Sequence, residues 1–220
     1  MFESVTVIGS SGRVGSAVSA RLRERGVDVR AEGPAALVLV CVPDRAIAEV
    51  ARAVPVGPWV AHVSGATPLT ALEPHVRRLS LHPLQTFTRE RGPEQLDGAW
   101  GAVSGETEEA RTLGFELART LGLHPFELRD ADRALYHAGA AFAASFLVTI
   151  YGAASELLRV AGAPPEALVP LMRRTIENGF APTGPIDRGD WATVEAHRRA
   201  IAERVPRLAP LYDALAEATP

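Results

Sequence analysis

The chain has 220 residues, 47% of them apolar and 22% charged, with a net charge of -3. That describes a globular chain of one or two domains, long enough to bury roughly 70% of its unfolded surface without a disulfide or metal staple. The acid-leaning balance argues against nucleic acid or an anionic membrane as partner, since both call for a basic surface. The single cysteine, Cys41, cannot form an internal disulfide, and no basic-then-apolar leader opens the sequence, so the chain reads as cytoplasmic. All 23 basic residues are arginine. The absence of lysine excludes a Schiff base, a lysine general acid and a Walker-type phosphate loop, each of which needs an ammonium.

In chain order, Val5-Thr6-Val7-Ile8 is a short β-branched run, and Val14, Ala17, Val18 and Leu22 give residues 13–25 helical spacing. Further strand-like runs fall at 27–29, 37–42, 59–63, 79–82 and 100–103, with helical stretches at 45–53, 69–78 and 106–121. After about residue 129 the pattern is helical only, over 131–161, 165–180, 191–200 and 205–216. The expected architecture is α/β plus all-α. A Rossmann-like parallel sheet, with helices on both faces, covers 1–128, and a helical substrate or dimerisation domain covers 129–220. Residues 134–155 carry no formal charge and could span a bilayer by length. Alanine, His137, Ser145 and Thr149 within them favour instead the central helix of a domain or dimer.

Gly9-Ser10-Ser11-Gly12-Arg13-Val14-Gly15 joins the first strand to the first helix. There the free N–H groups of a helix start can face a pyrophosphate, although a tight turn without a ligand has the same spacing. Only six residues separate Arg30 from Leu37, too few for a crossover helix. The adenosine side of a dinucleotide site is therefore expected to be cut short and binding to be weak. Arg30 is placed either to meet a 2'-phosphate or simply in solvent. Val42-Pro43-Asp44, Ser64-Gly65 and His82 each follow a strand, where open α/β sheets bind ligands. Asp44 reads most simply as a helix N-cap, and Cys41 as a small buried hydrophobe. His137, Ala141, Ser145 and Thr149 form one i, i+4 row, either a polar stripe facing a cleft or a small-residue stripe for close packing. Arg188, with Thr183 nearby, is a candidate for an anionic group, and Asp190 for the cap of the helix at Trp191. The histidines show no metal-ligand spacing.

Val42-Pro43-Asp44, His82-Pro83-Leu84-Gln85-Thr86-Phe87, Ala134-Leu135-Tyr136-His137-Ala138 and Thr183-Gly184-Pro185-Ile186-Asp187-Arg188-Gly189-Asp190 together resemble one family. Its members are Rossmann-like proteins with a C-terminal helical domain of unknown function. They are similar in layout to 6-phosphogluconate dehydrogenase, pyrroline-5-carboxylate reductase, prephenate dehydrogenase and ketopantoate reductase. The resemblance spans essentially the whole chain and implies an NAD(P)-binding domain, a helical domain that often forms a dimer, and oxidoreductase activity. Relatives have a longer insert before the Leu37 run and often asparagine where Ser145 stands, and Ala141 lies near the place of a dehydrogenase lysine.

The expected activity is hydride transfer between NADP(H), or NAD(H), and a small anionic oxo or hydroxy acid. Gly9, Ser10, Ser11, Gly12, Arg13, Val14, Arg30, Val42, Pro43 and Asp44 would hold the cofactor, with Ser64 and Gly65 at the nicotinamide. His82 and His137 are the acid-base candidates, Ser145 would orient a carbonyl or hydroxyl, and Arg188 and Thr183 would bind substrate. The rival is a non-catalytic or regulatory metabolite-binding protein that kept the fold. The partners expected are a small-molecule substrate and a second copy of the chain, with no nucleic acid, membrane or metal.

Overall fold

The structure is a computed structural model, described for residues 2–219. Among these residues one sheet of seven strands runs in the order β2-β1-β3-β4-β5-β6-β7. The strands are β1 (Ser4–Ile8), β2 (Asp28–Arg30), β3 (Leu37–Val40), β4 (Trp59–His62), β5 (Arg78–Leu84), β6 (Trp100–Gly105) and β7 (His124–Glu127). The first five are parallel; β6 runs antiparallel to β5, and β7 parallel to β6. The sheet is thus mostly parallel, with a reversed pair at one edge.

Side-chain alternation splits the sheet into two cores. Val5 and Val7 of β1 and Leu37 and Leu39 of β3 pack with α1 (Arg13–Glu24) and α3 (Glu108–Thr120). Val38, Val40 and Val60 point the other way, onto α2 (Ile47–Ala53) and a 3-10 turn at Leu69–Leu72. Burying each such Val or Leu contributes roughly 1.5–3 kcal/mol.

No helix joins β2 to β3, as the six-residue link requires. The consequence is visible on the α2 face. A cavity of about 690 Å³ opens there, floored by Thr6, Ile8 and Val38, walled by Ala53 and Val54 at the end of α2, and closed by the link itself. Thr6 Oγ1 donates to the Gly33 carbonyl at 2.9 Å, pinning the link over the sheet, and Gly33 takes φ +93° to make the bend.

Three sequence expectations change. Residues 69–78 do not form a helix: after the 3-10 turn, Glu73 turns extended (ψ 141°) before Pro74, which has no N–H to continue a ladder. The strand β7, absent from the sequence reading, pairs with β6 at the sheet edge, where Pro125 is tolerated. The expected helix over 131–161 is two segments, α4 (Arg133–Ala143) and α5 (Ser145–Val160), separated where Ala144 leaves helical geometry (φ -119°, ψ -71°).

The chain divides into two compact units, Met1–Ala141 and Phe142–Pro220. The division falls 13 residues beyond the boundary expected from sequence, because the start of α4 bonds to the loop after β4 and to β5 of the sheet unit. The second unit contains α5, α6 (Leu168–Glu177), α7 (Trp191–Arg204) and α8 (Ala209–Ala218). Asp190 caps α7, accepting from the Thr193 N–H at 3.1 Å. The stretch Asp130–Val160 is long and apolar enough to cross a membrane, and only 6% of its most apolar window is buried.

Candidate active site

A row of residues lies at the carboxyl ends of the parallel strands of the sheet unit. At the end of β1, Gly9 (φ +88°) packs so closely on the next strand's loop that a Cβ would stand 2.4 Å from the Cys41 carbonyl oxygen. Gly12 occupies the N-cap of α1, no side chain caps that helix, and its first turn holds no acidic residue. Its leading N–H groups are therefore open to an anion, and the cavity beside the link adjoins the loop at Gly9 and Ser10. A helix start without a cap, next to an apolar cavity, fits a dinucleotide.

One strand further on, Asp44 differs from its expected role. Pro43 is the N-cap of the turn, and Asp44 Oδ2 instead accepts from Ser64 Oγ at 2.8 Å. Ser64 Oγ in turn accepts from the N–H groups of Ala66 and Thr67, at 3.2 and 3.0 Å, and fixes the shape of the loop after β4. Cys41 is half-buried, and desolvation pushes its thiol up to about 12, so it stays an inert thiol.

The loop after β4 meets the start of α4 through Arg133, which is 2% exposed. Its Nε donates to Asp130 Oδ1 at 2.5 Å, Nη1 to the Ser64 carbonyl at 3.1 Å, and Nη2 to Ser80 Oγ of β5. Asp130 also accepts from the Leu69 N–H at 3.1 Å. This network sets α4 so that Tyr136 and His137 reach β5. The Tyr136 hydroxyl lies 2.7 Å from His82 Nδ1, and the His82 and His137 rings stand 6.2 Å apart at 72°. Gly65 leaves the room between them: a Cβ there would lie 2.9 Å from His137 Cδ2 and from His82 Cε1.

The electrostatics favour neutral groups. Burial, then the neighbouring His137, then Arg133 lower His82 to about 4. Burial raises the Tyr136 phenol to about 12. A neutral phenol is the better donor toward an imidazole lone pair, so Tyr136 assigns Nδ1 as acceptor and leaves the proton on Nε2 of His82. His82 is then a neutral donor at physiological pH, beside a second imidazole.

The structure thus brings His82, His137, Ser64, Gly65 and Asp44 into one neighbourhood of the sheet unit. Arg13 is exposed at the start of α1, with Ser10, Ser11 and Val14 around it, and Val42 packs against Gly9. Arg30 is engaged within its own link, by Asp28 and the Pro34 carbonyl. In the second unit, Ser145 is exposed at the first position of α5, past the break at Ala144, and Arg188 Nη1 donates to the Thr183 carbonyl at 2.5 Å. Tyr136, Arg133, Asp130 and Ser80 were not singled out from sequence. The signal for Asp130, Arg133 and Tyr136 was their spacing at helical i, i+3 steps toward one face; Ser80, inside β5, carried none. Among the described residues no three His, Cys, Asp or Glu side chains gather to hold a metal.

A Rossmann-like sheet followed by a helical C-terminal unit defines the class of this protein. The chain belongs to the family of the domain of unknown function DUF2520, which matches residues 99–219. No curated protein matches the chain in sequence. Among solved structures it is similar to a protein of Bacteroides fragilis described as a candidate NADP oxidoreductase, at 22% identity and a TM-score of 0.81, covering 98% of this chain and 97% of that one. It is similar also to a protein of Thermotoga maritima, at 23% identity and a TM-score of 0.80, covering 97% and 96% of the two chains. The 1-pyrroline-5-carboxylate reductase of Streptococcus pyogenes shares 13% identity with a TM-score of 0.62 over 98% of both chains.

Proposed function

We propose that this chain is a nicotinamide-dependent oxidoreductase acting on a small oxo or hydroxy acid. The observation that carries the reading is one continuous row at the strand ends: the uncapped start of α1, the Asp44–Ser64 pair, and the His82–Tyr136–His137 cluster. The family's structural relatives include oxidoreductases of the same layout, which supports it.

The residues fall into separate tasks. Gly9, Ser10, Gly12, Arg13 and the first N–H groups of α1 hold the pyrophosphate. When bound, the nicotinamide supplies or accepts a hydride. Ser64 and Gly65 shape the loop beside the histidines, held by Arg133 from behind. Nε2–H of His82 donates to the substrate oxygen, with Tyr136 fixing its tautomer, and His137 takes up or returns the proton. Replacing His82 or His137 with Ala should lower turnover about 100-fold while leaving cofactor affinity nearly unchanged. The measurement is a comparison of steady-state rates and calorimetric dissociation constants over a panel of oxo acids. Full activity in both variants removes this mechanism, and absence of turnover with every acid favours a binding or regulatory protein.

A second copy of the chain is the proposed cover for the exposed apolar surface of α4 and α5, where Leu135, Phe142 and Val148 are 80%, 71% and 72% exposed. A stable two-fold interface needs roughly 1,200–2,000 Å² of buried surface, and these two segments are the apolar surface offered for it. Light scattering should give a dimer at micromolar concentration, and a folded monomer contradicts the pairing.

A further inference from the structure

The helical unit carries a cavity of its own. On α7, His197, Ala200, Ile201 and Arg204 stand at i, i+3, i+4 and i+7 and so share one face. Leu157 and Val160, one turn apart at the end of α5, face them, and Tyr212 of α8 closes the third side. Between these helices lies a cavity of about 320 Å³. Ile201 and Val205, 6% and 5% exposed, give it an apolar floor. Small-molecule sites have this form: an apolar body with a few polar groups, at volumes from roughly 300 Å³ upward.

The polar groups here are those an anion needs. Arg204 Nη2 donates to the Val160 carbonyl of the facing helix, and both residues line the cavity, which places the guanidinium at that wall. Among the described residues no carboxylate meets its charge: Glu156 is taken by Arg207, and Glu195 and Asp213 are both taken by Arg198. One backbone carbonyl leaves the fork of Arg204 with donors to spare. At the other end of the same α7 face, His197 Nδ1 lies 2.9 Å from the Tyr212 hydroxyl. Burial raises the Tyr212 phenol, so it keeps its proton and donates to Nδ1, and a neutral His197 then carries its own proton on Nε2. An unmatched guanidinium over an apolar floor suits a carboxylate whose remaining body is apolar.

We propose that this cavity binds a monocarboxylate with a compact apolar body, its charge held by Arg204 with His197 as a second donor, and its body set on Ile201, Val205 and Leu157. The site lies within the helical unit and shares no residue with the histidine cluster of the sheet unit. It does not depend on the oxidoreductase reading, and neither falls with the other.

Benzoate is the probe, with benzamide as its uncharged counterpart and acetate as the carboxylate without a body. Amide NMR titration of the purified full chain should give a benzoate dissociation constant of about 1 mM or tighter, with shifts at residues 157–161 and 197–205. Benzamide and acetate should each bind about 10-fold or more weakly. Arg204→Gln can still donate to the Val160 carbonyl, so the helix ends stay joined, yet it should weaken benzoate about 10-fold and leave benzamide unmoved. Arg204→Lys, which keeps the charge, should recover most of the loss. Ala200→Phe, at an exposed lining position, should fill the cavity and abolish binding while the thermal unfolding curve and the light-scattering mass stay in place. Benzamide binding as tightly as benzoate, or benzoate affinity unmoved by Arg204→Gln, overturns the carboxylate. Full affinity in Ala200→Phe puts the probe elsewhere and overturns the site. A fall in mass for Ala200→Phe shows a second copy seated here and overturns it equally. Absence of any benzoate shift at millimolar concentration overturns the proposal outright.

Discussion

Replacing Arg133 with Met should destabilise the sheet unit by about 3–5 kcal/mol, the range for breaking one side of a buried ion pair. Methionine keeps most of the apolar stem but none of the donors. Two of the stranded acceptors lie in the protein: Ser80, which is fully buried, and the carbonyl of Ser64, whose residue is 6% exposed. Each unsatisfied group costs about 1–3 kcal/mol. The third acceptor, Asp130, has a side chain 33% exposed and keeps the Leu69 N–H, so water and backbone absorb part of its loss. The expected value thus lies toward the lower end of the range. Urea unfolding followed by the fluorescence of Trp59 and Trp100, both in the sheet unit, in a Trp191→Phe background, measures it. A double-mutant cycle with Asp130→Asn should give a coupling of about 1 kcal/mol or more. A loss below about 1 kcal/mol for Arg133→Met would refute the idea that this network holds the histidine cluster in place.

Gly65→Ala should cost about 1–3 kcal/mol of stability, because its Cβ would push both imidazoles outward by several tenths of an ångström although no positive φ is required there. Turnover should fall about 100-fold with cofactor affinity retained, as a small displacement of reacting groups does elsewhere, and unchanged turnover would remove Gly65 from the site. Acid should destabilise the fold in a defined window. Burial, ahead of the Arg133 charge, lowers His62 to about 3, and His82 sits at about 4, against an ordinary 6.5. The folded state therefore binds fewer protons than the unfolded chain below pH 6.5, so stability is full above that value and is lost as pH falls toward 4. His82→Gln should flatten the stability-versus-pH slope in this window by about 1.4 kcal/mol per pH unit, and an unaltered slope would contradict the neutral state of His82.

The parallel half of the sheet was legible because its signals are local. Val5–Ile8 followed by a glycine loop, and the apolar run at Leu37, declare buried strands whatever surrounds them. The direction of β6 was not legible, because nothing in Trp100–Gly105 distinguishes a strand running up from one running down. β7 was hidden by Pro125 and the exposed, polar ends of His124–Glu127, features that suit an edge and lack alternation. His82 and His137 stood out as residue types, but their meeting depends on Arg133, a buried cation that composition presents as one arginine among 23. The cavity beside the link after β2 was not legible either. The link's shortness announced a missing helix, while the cavity left behind exists only once Thr6, Val38 and Ala53 are brought together from three elements.

The glycine loop has a consequence for how this lineage can change. A side chain at Gly9 would collide with Cys41, and one at Gly15 would come within 2.2 Å of the Gly9 carbonyl oxygen, so both positions are demanded by the fold alone. Gly12 is less constrained, with its nearest contact at 3.2 Å and an ordinary negative φ of -73°. A descendant that abandoned its dinucleotide would still need the outer two glycines to bring helix against strand. Drift would show first at Gly12, leaving a fossil motif with its ends intact and its middle replaced.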